Sequence, residues 1–96
     1  MHTDSEVEYR WDPLKAAANL KKHGVRFADA ALSLEDPLAR CMPDPDSFAE
    51  ERFICLGSDP SGRLLVTAFA PVGRVVRIIS SRIASRAERR AYESET

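Results

Sequence analysis

With 96 residues, 44% hydrophobic and 30% charged, the chain fits one small globular domain and falls outside the compositions of disordered or fibrous proteins. The formal net charge of -1 conceals a division: residues 1–51 carry 11 acids against 6 bases, whereas residues 52–96 carry 4 acids against 8 bases, all arginine. No apolar run approaches the roughly 18 residues that a membrane span needs, and the opening MHTDSEVEYR lacks the apolar centre of a secretory leader. A cytoplasmic protein without a membrane partner is therefore expected, with residues 1–6 as a flexible tail.

The first ordered element is a short strand over residues 7–11, VEYRW, where β-formers alternate. DPLKAAANLKKHG then carries the chain's clearest helix signals. Asp12 is a favoured N-cap, Pro13 at the first helical position forfeits no hydrogen bond, and Gly24 stands where a left-handed residue closes the helix. A second helix follows, because Phe27, Ala30, Ala31 and Leu34 recur at i, i+3, i+4 and i+7. The Glu-Asp-Pro at 35–37 ends it. Beyond that point the period becomes two. LARCM is a short strand, PDPDSFAEE an acidic loop, and RFICLGS and RLLVTAFA flank the turn DPSG. PVG reverses the chain into RVVRIISSR, residues 74–82, and Ser85 with Glu88 forms a capping box for a final helix. The expected fold class is α+β: an antiparallel meander with two N-terminal helices and a C-terminal helix. Cys41 and Cys55 are too few for a disulfide framework and match no zinc spacing, so both are expected as buried thiols.

Six arginines between positions 74 and 90, against Glu88 alone, suit a polyanion better than mere solubility, because the guanidinium fork grips phosphate bidentately. Strand alternation puts Arg77 on one face of its strand and Arg74 and Arg82 on the other. Arg86, Arg89 and Arg90 form one ridge of the last helix, whose N-terminus itself favours anions. A basic helix face is also often just solvated, and the acids nearby are available to pair with it. For proton transfer the candidates are His23 in Lys-Lys-His, Glu51 and Tyr92; His23 equally suits a cation at a helix C-terminus. No phosphate loop, metalloprotease motif or paired-cysteine motif is present, and no cofactor or metal is expected.

Three stretches, WDPLKAAANLKKHGVRFADA at 11–30, AEERFICLG at 49–57 and RIISSRIASRAERRAYE at 77–93, resemble the BrnT family of toxins of type II toxin–antitoxin systems. The resemblance spans nearly all of residues 9–93. It implies a RelE-like fold, an endoribonuclease that arrests translation, and a BrnA antitoxin that neutralises the toxin and links it to DNA only indirectly. Ile83 and Ala87 depart from it, standing where members commonly carry basic residues, and Arg26 replaces the usual Ser or Asp cap. RNA brings its own nucleophile, the 2′-hydroxyl, so a metal-independent reaction is expected. Arg77, Arg82, His23, Glu51 and Tyr92 are the candidate catalytic residues, and Lys22, Arg74, Arg86, Arg89 and Arg90 the candidate RNA-binding ones. The alternative is a non-catalytic nucleic-acid-binding or regulatory partner subunit.

Overall fold

The computed structural model describes residues 6–94, so most of the expected tail lies outside the described residues. Eight elements follow in order: β1 (Glu8–Arg10), α1 (Pro13–His23), α2 (Phe27–Ser33), β2 (Arg40–Pro43), β3 (Phe53–Ser58), β4 (Leu64–Val72), β5 (Val75–Ile83) and α3 (Arg86–Ser94). The local chemistry works as the residues dictate. The Asp12 carboxylate accepts the Leu14 N–H at 2.8 Å, and Gly24 adopts φ 71° while its N–H donates to the Leu20 carbonyl. Arg26 precedes α2 without a side-chain cap, and the capping box of α3 closes in both directions between Ser85 and Glu88. In the DPSG turn, Asp59 accepts the N–H groups of Ser61 and Arg63 and pairs with the Arg63 guanidinium, which also reaches Asp29 of α2.

The strands form one five-stranded sheet in the order β1-β5-β4-β3-β2. Strands β2 to β5 make the expected antiparallel meander, but β1 pairs parallel with β5, so the sheet is mixed. Between these two parallel neighbours the chain runs through α1, α2 and strands β2 to β4. Helices α1 and α2 lie on one face and build the core there. Phe27, Ala30 and Ala31 pack on Ile78, with Tyr9, Phe69 and Val76 around them, and Trp11 meets Phe27 edge-on. Gly57 sets how closely α2 approaches: a Cβ there would lie 2.3 Å from the Ser33 carbonyl oxygen.

Two expectations need correction. Ala68 pairs with Ser80 while Phe69 pairs with Ile78, which leaves Ile79 as an extra residue, a β-bulge. The inserted residue shifts the alternation, so Arg77 (opposite Ala70), Ser80 (opposite Ala68) and Arg82 (opposite Val66) all point to the same face, away from α1 and α2. Simple alternation had separated Arg77 from Arg82. The cysteines, expected as thiols, form a disulfide: Cys41 and Cys55 are directly opposed on β2 and β3 with Cα atoms 4.0 Å apart, Cys55 buried and Cys41 exposed. Distant in sequence, they are made neighbours by the strand register.

Candidate RNA-binding face

The face opposite α1 and α2 carries Met42, Ile54, Leu56, Val66 and Ala68, with Arg77, Ser80 and Arg82 from β5. Among the described residues only α3 crosses it, and α3 buries none of its residues. It is held by Arg82 gripping Glu88, by the Arg40 guanidinium donating to the Ala91 carbonyl, and by the Tyr92 hydroxyl donating to Asp36. A concavity of about 590 Å³ opens on this side. Lys22 and His23, Asp44 and Asp46, Ser80, Arg82 and Glu88 line it. Helix α1 reaches it because Asn19, buried at 7% exposure, docks on β5 beside Arg82. Its amide nitrogen donates to the Val25 and Ser81 carbonyls at 3.0 and 2.8 Å, and its oxygen accepts the Ser81 N–H at 3.1 Å. Asn19 escaped the sequence reading because a polar residue inside an amphipathic helix carries no mark of what it will meet.

Arg82 holds Glu88 through both terminal nitrogens, at 2.8 and 2.9 Å, and Glu88 also accepts the Ser85 N–H at 2.7 Å. The Arg82 guanidinium and the Ser85 N–H hold the Glu88 carboxyl down at about 2. Because the folded value lies below the usual 4.5, this pair stabilises the protein fully above about pH 4.5, less as pH falls, and not at all below pH 2. We expect the urea midpoints of the native chain and of Glu88→Gln to differ at pH 6 and to converge by pH 2. A gap that persists at pH 2 refutes the assignment.

The other candidates are spread more widely. Arg77 pairs with Glu50 of the β2–β3 loop, whose carboxyl is lowered first by Arg77 and then by Arg52. Along β4 the partners of Arg77 and Arg82 are four residues apart, or about 13 Å at the rise of a strand. Tyr92 does not line the Arg82 concavity: its hydroxyl donates to Asp36, and that bond raises the phenol to about 12. Glu51 is exposed on the loop and lies outside the concavity. Arg74 sits at the β4–β5 turn, its carbonyl accepting the Glu8 N–H. On α3, Arg89 approaches Glu93 at 3.8 Å, while Arg86 and Arg90 form no ion pair with a described residue. The structure thus brings Lys22, His23 and Arg82 together and leaves Glu51, Arg74 and Tyr92 apart from them. Among the described residues, no group of three or more His, Cys, Asp or Glu side chains is placed to hold a metal ion, and no helix is long and apolar enough to cross a membrane.

Residues 11–88 match the family model described as the ribonuclease toxin, BrnT, of type II toxin–antitoxin systems. The chain belongs to the BrnT family. It is a toxin of the ribonuclease class, and that membership brings with it an RNA substrate and a protein antitoxin. The BrnT match takes in α1, α2, strands β2 to β5 and the start of α3, and therefore both Lys-Lys-His and Arg82. The fold is also similar to the crystal structure of the Brucella abortus ribonuclease toxin BrnT, with 30% identity and a TM-score of 0.66 over 83% of this chain and 99% of that one. No curated protein sequence matches the chain.

Proposed function

We propose that this toxin cleaves RNA on the outer sheet face without a metal ion, with Arg82, His23 and Lys22 as the working centre. The observation that carries this reading is that these three side chains line one concavity although they come from α1 and β5. The neutral imidazole of His23 takes the proton of a 2′-hydroxyl. The hydroxyl oxygen attacks the adjacent phosphorus, the 5′-oxygen leaves with a proton from water, and Arg82 and Lys22 stabilise the charge on the pentavalent phosphorane. Both terminal nitrogens of Arg82 are engaged by Glu88, so RNA phosphate must compete with that carboxylate for the fork. Arg77, Arg74, Arg86, Arg89 and Arg90 hold flanking phosphates. Tyr92, tied to Asp36, supports α3 rather than moving a proton, and Glu51 takes no part in the chemistry. A BrnA-type antitoxin covers this face in the cytoplasm, and contact with DNA runs through that complex.

Cleavage is expected to persist in EDTA and to leave 2′,3′-cyclic phosphate and 5′-hydroxyl ends, read by direct kinase labelling of the 5′ ends and by 3′ ends that ligate only after the cyclic phosphate is removed. Loss of activity in EDTA, restored by a divalent cation, refutes the mechanism. Expression of the chain alone is expected to arrest growth, and co-expression of its antitoxin to relieve it. Salt-dependent RNA binding with no product at any time would instead favour a non-catalytic binding subunit.

A further inference from the structure

The loop between β2 and β3 is acidic: Asp44, Asp46, Glu50 and Glu51 lie on it, and Glu50 occupies the Arg77 guanidinium. Its stem is thin. Strand β2 is a sheet edge with all four residues exposed, it pairs only with β3, and the last rung is the Asp44 N–H to the Arg52 carbonyl at 2.9 Å. The Cys41–Cys55 bond crosses that stem and closes a loop with a sequence separation of 14. A cross-link of this kind removes chain entropy from the opened state, so its loss favours opening of the arm.

We propose that the Cys41–Cys55 disulfide is a redox clip on the acidic arm, and that its reduction by a dithiol frees Arg77 and speeds RNA cleavage. The inference rests on the reading of Arg77 as part of the RNA surface. The two sulfurs are unequal. Cys41 is exposed, whereas Cys55 is 2% exposed, so an attacking thiolate reaches Cys41 alone. Attack on the Cys41 sulfur breaks the bond and expels Cys55 as a thiolate, which takes up a proton. The second thiol of the reductant then resolves the mixed disulfide, releasing Cys41 as a thiol and leaving the reductant oxidised. Two electrons and two protons pass to the protein. With the clip open, the stem of the arm is held by the short ladder and by the Arg40 bond to the Ala91 carbonyl, and substrate phosphate displaces Glu50 from Arg77. In the oxidised chain the carboxylate stays in place as an internal competitor.

The test compares the full chain before and after treatment with dithiothreitol, counting thiols and following cleavage of one RNA. The expected result is no titratable thiol before treatment and two after it. The rate rises about fivefold, the most that release of one exposed ion pair supplies. Cys41→Ser, chosen because Cys41 is exposed and the buried Cys55 is left alone, should cleave at the reduced rate whether or not dithiol is present. Oxidised Glu50→Gln should also reach that rate. Two thiols before treatment, equal rates in the two states, or a dithiol response that survives in Cys41→Ser overturns the proposal. Arg77→Ala separates this idea from the site on which it rests: a reduced chain that cleaves as fast without Arg77 removes Arg77 from the RNA surface, whatever the redox comparison shows.

Discussion

Arg82→Ala lowers the single-turnover rate of RNA cleavage about 100-fold to 1000-fold, the usual loss when one donor to a developing anion is removed. Arg82 is the one arginine that shares a concavity with His23 and Lys22, and Ser81 beside it is anchored on α1, so its backbone is fixed. The fold should survive the change. The Arg82 and Glu88 side chains are 44% and 34% exposed, and pairs so wetted contribute less than about 1 kcal/mol. Arg82→Lys keeps the charge but loses the planar fork, and should recover only a small part of the rate. Circular dichroism melting alongside the kinetics distinguishes a lost catalytic group from a lost fold. A rate within threefold of the native chain, in a folded variant, eliminates Arg82 as the charge-stabilising group.

Asn19→Ala has the largest expected effect on stability. Three hydrogen bonds disappear together, leaving the Ser81 N–H and the Ser81 and Val25 carbonyls without their partner in a buried place. Buried groups deprived in this way cost about 3 kcal/mol in sum, allowing for partial rescue by water. In a domain this small, that lowers the melting temperature by roughly 15 °C. Asn19→Asp should be no better: it retains the acceptor for the Ser81 N–H but sets a carboxylate against two carbonyl oxygens. Cleavage should fall as well, because Asn19 sits one helical turn before His23 and holds that end of α1 against β5. Melting within 3 °C of the native chain would show that the amide is not what docks α1.

Much of this was legible in the residues because local chemistry decided it. Asp12-Pro13 and Gly24 bounded α1 by capping and backbone preference, Ser85 with Glu88 opened α3, and DPSG and PVG turned the strands. What escaped was decided by partners distant in the chain. The bulge at Ile79 arises from the pairing of β5 with β4, and no residue in VVRIISSR announces it. Without it, Arg77 and Arg82, five positions apart, fall on opposite sides of the sheet, and alternation led to that error. The cysteine pairing likewise depended on the register of β2 against β3. Charge counting located the arginines but could not show that Glu50 and Glu88 engage two of them, since an acid's partner is a matter of geometry.

The pairing of Asn19 with Ser81 also bears on how these molecules avoid one another. Strand β1 accompanies β5 only as far as Arg77, so the rest of that border would be an open template for a second chain to extend. A single amide there meets both main-chain groups of Ser81, as an adjoining strand would, and denies a stranger that purchase. At the opposite border β2 finishes on Pro43, whose nitrogen has no hydrogen to offer. Lateral stacking is discouraged at both margins, and encounters with other macromolecules are left to the broad surfaces.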